Sequence, residues 1–543
     1  MEVTEETKTT ITYEHEDHKA SDVPGADAGF AIATTLREAH AVPNPWAWGH
    51  VQLYLVCAIV YLCSTMNDRK TNRLGEGYDG SLMGSINIMP EYQDYYHLGP
   101  NGSAGTGLVF SIFNIGQMIG ALFTWCNDWR GRKFMVIFGC VGVVACAIFT
   151  ATAPTLGTFI GARFLLSFFS TLASSAAPLL LVEVAPPLQR GSVAGGYNTL
   201  YYMGSIIATF TIYGCNLHLG GNIKWRLSLW LQAVCPGLVV LGAWFIPESP
   251  RWLIAKGRHE EARAFLVRHH ANGDPNHPIV AVEMREIEES LSRGGIRAAR
   301  DYFNIKALFK SRSRRYRMLL VISWSWFMQF SGNNVASYYL PTMIKAVGIT
   351  SVPMAQLLNG IYAVTGWIAS SIGARCHDVV GRRKMFLFST GGMVICLAII
   401  TGATARYQIA HDVHASSAMI AFIFIFGVVF AVGYTPMQPV YSPEILANDM
   451  RANGVMVSSI TSGCAGFVNT FAAPLAMQNI TYWFYAFFVF WDIFEFIFIY
   501  FFFVETKGRT LEELDAVFDS SNPRKASTKQ IIPHDASGDS NSV

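Results

Sequence analysis

The chain has 543 residues, of which 51% are hydrophobic and 14% charged, against the roughly 25% charged residues of soluble domains. Its net charge of +2 is too small to argue for a nucleic-acid partner, and a chain this apolar is no ordinary soluble domain. Ten cysteines, mostly inside apolar runs and without a C-x-x-C pair, read as buried thiols and not as a disulfide framework or metal site.

Residues 1–45 are polar, with acidic clusters such as Glu14-His-Glu-Asp17, and no cleavable signal is evident. Residues 1–48 are therefore expected to form a disordered tail. Charge-free runs then recur at 104–127, 134–162, 191–223, 227–247, 346–374, 385–405, 413–443 and 452–491. A spanning helix needs about 20 apolar residues. The last run is long enough for most of two helices, with Asn479-Ile-Thr as the turn between them. Adding the stretches around 51–90, 164–182 and 318–344 predicts about twelve spans in an all-α integral membrane protein.

Two short polar gaps carry related basic motifs, Asp128-Trp-Arg-Gly-Arg-Lys133 and Asp378-Val-Val-Gly-Arg-Arg383, 250 residues apart. A motif recurring at equivalent places in two apolar halves implies a duplicated membrane unit, the architecture of many transporters. The expected layout is a six-helix bundle over 49–246, a helical linker over 247–317, a second six-helix bundle over 318–505 and a tail over 506–543. Lys and Arg collect in the two motifs and in the linker, which places these segments, and with them both termini, on the cytoplasmic side. The opposite loops, 91–104 and 475–482, have no basic residue and contain the glycosylation triplets of Asn101 and Asn479.

Several motifs occur in a fixed order: Gly77-Tyr-Asp79, Gly131-Arg132-Lys133, Gly161-Ala-Arg163, Glu183 with Arg190-Gly191, Pro247-Glu-Ser-Pro-Arg251, Gln329-Phe-Ser-Gly-Asn-Asn334, Tyr338-Tyr339, Asp378 with Arg382-Arg383, Glu444 with Arg451, and Glu505-Thr-Lys-Gly508. This ordered set resembles the sugar porter family of the major facilitator superfamily over roughly residues 50–515. The wording of Gly332-Asn-Asn-Val-Ala-Ser-Tyr-Tyr339 is most similar to its fungal lactose-permease-like and hexose-permease branch.

An ionisable residue inside a membrane costs several kcal/mol and is a functional candidate by default. Asp79 in the first span and Arg163 in the fourth form a protonatable switch if they meet; the resemblance implies this proton-coupling role, and a purely structural ion pair is the alternative. For the loop charges it implies a gating network of Asp128, Arg132, Glu183, Arg190, Glu248, Arg251, Asp378, Arg382, Arg383, Glu444, Arg451 and Glu505 that breaks as the halves rock. The alternative is that the basic residues only set topology. Sugar recognition needs amides, hydroxyls and an aromatic face. Gln329, Asn333 and Asn334 of helix 7, with Tyr338 and Tyr339 further on, supply these groups. Gln329 and Asn333, four residues apart, are expected on one helical face. Family position adds Asn198 of helix 5 and Asn469 of helix 11. Their alternative role is polar glue between helices.

Three positions depart from the family pattern: Met328 replaces a frequent glutamine, Val504 a proline, and Tyr434-Thr-Pro-Met-Gln-Pro439 lacks a frequent tryptophan. The stretch Asp68-Arg-Lys-Thr-Asn-Arg-Leu-Gly-Glu76 would put five charges in mid-span, on the order of 12–18 kcal/mol against insertion. It is read as an alternative or misassigned splice boundary. Asp492 and Glu495 are unexplained acids in helix 12. The sequence contains no nucleophile–base set, nucleotide loop or metal spacing, so neither an enzyme nor a cofactor is expected. The expectation is a monomeric plasma-membrane transporter that moves a hexose or disaccharide such as lactose with a proton. An uncoupled uniporter and a non-transporting sensor of the same fold remain as alternatives.

Overall fold

The computed structural model describes residues 52–53, 57–58, 60, 78–98, 104–186, 190–294, 304–333, 340–341, 343–344, 351–410, 412–438, 440–447, 450–480, 482–507, 509 and 511–528, with backbone only for 190–201 and a few single positions. Every regular element among them is helical. The first half contains α1 (Tyr78–Ile86), α2 (Pro90–Tyr95), α3 (Ala104–Leu122), α4 (Cys126–Arg130), α5 (Arg132–Thr152), α6 (Leu156–Val184), α7 (Arg190–His218), α8 (Ile223–Leu231) and α9 (Val234–Leu241). The linker folds into α10 (Pro250–Ala255), α11 (His259–His269) and α12 (Pro278–Gly294). The second half contains α13 (Arg312–Phe330), α14 (Val352–Val380), α15 (Arg382–Ala410), α16 (Val413–Gly433), α17 (Tyr441–Ile445), α18 (Arg451–Asn479) and α19 (Tyr482–Phe502), followed by α20 (Leu511–Asp519) and α21 (Pro523–Ser527).

Eight of the described segments are long and apolar enough to cross a bilayer: 105–122, 132–152, 156–184, 223–244, 382–410, 414–437, 453–477 and 482–502. The long helices α7, α13 and α14 are more polar, as suits helices that line the interior. Together with the partly described first span they make up the expected twelve. The turn expected at Asn479 lies between α18 and α19. The nine-residue stretch 68–76 and Asn101 lie outside the described residues.

Lipid gives no hydrophobic drive for helix association, so close packing of small residues must supply it. A Cβ on Gly139 of α5 would lie 2.6 Å from the backbone nitrogen of Ala173 on α6, and one on Gly373 of α14 would lie 2.2 Å from the carbonyl of Val432 on α16. Large side chains such as Phe138, Phe388, Ile395 and Phe490 are exposed and face outward. Local signals set the helix ends. Thr155 and Thr158 exchange backbone-to-hydroxyl bonds of 3.3 and 3.2 Å in a capping box that starts α6. Gly131 and Gly381, at φ of 101° and 106°, turn the chain into α5 and α15.

At the face opposite the basic motifs, polar bonds join the two halves. Asn359 of α14 donates to the Ser85 hydroxyl at 3.1 Å, and Gln356 donates to the Ser85 carbonyl at 3.4 Å while accepting from Asn216 at 3.0 Å.

Candidate functional site

Asp79, one residue into α1, and Arg163, in the first third of α6, meet in the core of the first half. The guanidinium donates to both carboxylate oxygens, at 3.1 and 2.9 Å, and both residues are buried. A charge pair removed from water persists only where its remaining hydrogen-bonding capacity is met. Here Gln232 donates to Asp79 at 3.1 Å, and the Arg163 Nε–H donates to the carbonyl of Val109 at 3.1 Å. Gln232 escaped the sequence reading. Its signal was a lone amide within the run 227–247, which the structure splits into α8 and α9 at that residue.

A central cleft opens between the halves. Ser81, Tyr202 and Ser205 line it from the first half, and Asn333, Asn359, Tyr362 and Phe430 from the second. The Ser81 and Ser205 hydroxyls bond each other at 2.6 Å, and the Tyr362 hydroxyl donates to the side-chain amide oxygen of Asn333 at 3.5 Å. No lining side chain among the described residues is charged. Of the predicted ligands among the described residues, only Asn333 lies in this lining. The residues added by the structure come chiefly from α14, whose Asn359 and Tyr362 stand three apart on one face.

The expectation that Gln329 and Asn333 share a helical face does not hold. Helix α13 ends at Phe330, and Gly332 adopts a φ of 81°, so the chain turns out of the helix between the two residues. Gln329 instead sits, buried, in a second polar group with Asn114, Asn469 and Thr470. Asn469 donates to the Gln329 backbone carbonyl at 2.5 Å, and Asn114 donates across the halves to Thr470 at 3.2 Å. Asn334, Tyr338, Tyr339 and the side chain of Asn198 lie outside the described residues.

The loop charges form two clusters of the same design. Arg132 pairs with Asp128 at 3.1 Å and Glu183 at 3.0 Å, and donates to the Asn127 carbonyl at 3.4 Å. Arg382 pairs with Asp378 at 3.2 Å and Glu444 at 3.3 Å, and donates to the His377 carbonyl at 3.3 Å. Glu248 accepts from the backbone N–H groups of Arg132, Lys133 and Ser249 at 3.1, 3.2 and 2.9 Å. A carboxylate at that position satisfies orphan helix donors and complements the helix dipole. Burial nevertheless pushes the Glu248 carboxyl above its ordinary range, against these three bonds and the Arg132 charge. Burial raises Glu444 in the same way, opposed by the Thr506 hydroxyl and Arg382.

Not every expected member joins these clusters. Glu444 pairs with Arg382 and not with Arg451; neither Arg451 nor Arg251 makes an ion pair among the described residues. Arg383 donates to the Tyr500 carbonyl at 2.6 Å. The side chain of Arg190 lies outside the description. Among the described residues no ion pair links one half to the other.

A family described as "Sugar (and other) transporter" matches residues 70–518. The chain belongs to this family. Among curated relatives, a quinate permease of Neurospora terricola is 27% identical, with 88% of this chain and 90% of the relative covered. A high-affinity glucose transporter of Kluyveromyces lactis is 29% identical, with 82% and 83% covered. Among solved structures, the major facilitator superfamily proton:xylose symporter XylE bound to 6-bromo-6-deoxy-D-glucose superposes with a TM-score of 0.66 at 20% identity, covering 87% of this chain and 100% of that one. The fold is therefore the twelve-span major facilitator fold. Members of the sugar (and other) transporter family move solutes across membranes and are not enzymes, and the sequence-derived assignment to a multi-pass membrane protein of this family stands.

Proposed function

We propose that this chain carries an uncharged sugar, a hexose or disaccharide, across the plasma membrane together with a proton, by alternating access between its two halves. The observation that carries this reading is the central cleft, whose hydroxyls and amides come from both halves with aromatic rings beside them and no charged side chain among the described lining residues. Such a lining matches the donors and acceptors of a polyhydroxylated ring. Quinate, named for one relative, is a carboxylate at neutral pH and would need a cationic partner there. The glucose and xylose named for other relatives would not.

The Asp79–Arg163–Gln232 group supports proton coupling. Protonating Asp79 removes the charge that compensates a buried guanidinium, so the proton and the arrangement of α1 against α6 are linked. The basic clusters, the linker and both termini are assigned to the cytoplasm by the excess of Lys and Arg. The 49–246 and 318–505 bundles then move against each other, opening the cleft to one side or the other. Each half would keep its own Arg132 or Arg382 cluster during that motion.

Uptake of labelled glucose, galactose, lactose and quinate, with and without a proton uncoupler, tests each part. Sugar uptake abolished by the uncoupler is expected. Uncoupler-insensitive sugar uptake would reject coupling in favour of a uniporter, and quinate uptake alone would reject the neutral-sugar site. No uptake of any of them would reject transport and reopen the sensor reading.

A further inference from the structure

Helix α19 carries two acids, Asp492 and Glu495, three residues apart on one face and both completely buried. Trp491 donates its indole N–H to Glu495 at 2.6 Å. Neither oxygen of Asp492 has a hydrogen-bond partner. Among the described residues, the helices packed most extensively against α19 are α15, α13 and α18. None of them brings a Lys, Arg or His over 318–330, 385–405 or 453–479. The basic residues at their ends are engaged elsewhere or exposed, except Arg451, the first residue of α18. Arg451 is half-buried without an ion pair among the described residues and lies at the end of that helix where α19 finishes, away from mid-helix Asp492. Arg382 is held by Asp378 and Glu444, Arg406 by Asp412, and Arg317 by the Ile445 carbonyl and Asp515; Lys384 is exposed. Arg383 reaches α19 only at Tyr500, about 12 Å along the axis from Asp492 at 1.5 Å per residue. The other titratable side chains on these helices are Tyr316, Cys396, Tyr407, Cys464, Tyr482, Tyr485 and Tyr500, none of them a cation.

An ionised Asp492 would have no counter-charge and no donor among the described residues. Two ionised carboxylates on adjacent turns would also repel each other. A carboxylic acid removes both costs, and its O–H can serve Glu495 or a helix carbonyl. We propose that Asp492, with Glu495 beside it, is a second proton-binding site of this transporter, a carboxyl pair that holds one proton in the conformation described here. The site is separate from Asp79 and Arg163, which belong to the other half. It also has a mechanical neighbour. Phe488, one turn before Asp492, lies 3.6 Å from where a Cβ on Gly332 would sit and lines a small apolar cavity with Met343, Leu397 and Phe426. A proton on Asp492 is thus one helical turn from the break that places Asn333 in the cleft.

Infrared spectroscopy of the purified full-length protein in lipid nanodiscs, over a pH series and without any sugar, tests this independently of the cargo. The expected spectrum at neutral pH contains the C=O stretch of a buried carboxylic acid that is lost in Asp492→Asn, displaced in Glu495→Gln and kept in Asp79→Asn. The Asp492→Asn protein should match or exceed the wild type in thermal stability. That advantage should grow as pH rises, because the wild-type fold must hold a proton that the unfolded chain releases. A wild-type spectrum without such a band at neutral pH, or a band unchanged in both Asp492→Asn and Glu495→Gln, would overturn the proposal. The wild-type spectrum alone decides if Asp492→Asn does not fold.

Discussion

Glu248 and Glu505 stand in the same relation to the two copies of the basic motif. Glu505 accepts from the N–H groups of Arg382 and Arg383 at 2.8 and 3.1 Å, as Glu248 does from those of Arg132 and Lys133 at 3.1 and 3.2 Å. Each carboxylate occupies the space a side chain would need at the motif glycine, 2.3 Å from a Cβ on Gly131 and 2.7 Å from one on Gly381. The motif glycine is therefore required twice, by its positive φ and by the carboxylate beside it.

Gly131→Ala and Gly381→Ala should each lose about 1–3 kcal/mol from backbone strain alone, and more from displacing the carboxylate. Gly157→Ala is the control, since nothing lies within 4 Å of its Cβ position. That change should be neutral or slightly stabilising. Thermal unfolding in detergent ranks the three, and equal melting points would contradict the account of the motif.

The two buried loop carboxyls give a pH signature. Burial holds Glu248 and Glu444 above the ordinary value of 4.5. In the range above 4.5 the folded state then binds more protons than the unfolded state, so this contribution to stability is full at low pH and is lost as pH rises through the folded values. Glu444→Gln removes one such group. Its stability relative to the wild type should climb from about pH 4.5 upward and then level off, as read from melting points across the range. A constant or falling difference would reject the raised value.

Much of this was visible in the sequence because charge inside a membrane is costly and seldom accidental. Asp79 and Arg163 stand out for that reason, and so do the paired loops. Neutral polar residues are harder to read, because an amide in a spanning helix can be glue or ligand with the same spelling. The Asn469 amide is bonded to the Gln329 backbone of a neighbouring helix, while Asn359 and Tyr362, which line the cleft, drew no notice. The break at Gly332 was hidden too, since a glycine is tolerated in a membrane helix and only its φ shows that the helix stops.

The bidentate contact of Arg163 with Asp79 makes the two residues interdependent. Arg163→Met leaves a buried carboxylate without its counter-charge and should cost about 3–5 kcal/mol. Adding Asp79→Asn removes the orphaned charge, and the double variant should recover most of that loss. A double-mutant cycle on thermal stability measures the coupling, and additive losses would mean the pair is not energetically linked.

His270 makes a comparable prediction for the linker. It is completely buried, with Nδ1 2.8 Å from Glu283 of α12 and Nε2 3.0 Å from the carbonyl of Val184. Val184 ends α6, next to the Glu183 that pairs with Arg132. One imidazole thus ties the linker helices to the helix that carries a loop-cluster acid. His270→Phe breaks both contacts and should weaken this attachment by about 1–3 kcal/mol. Because the spanning helices do not depend on it, the loss should be local. Amide exchange in 259–294 should speed up by orders of magnitude while exchange in α5 and α15 stays unchanged. Unaltered exchange in the linker would show that apolar contacts such as Phe265 and Leu266 hold it without the histidine.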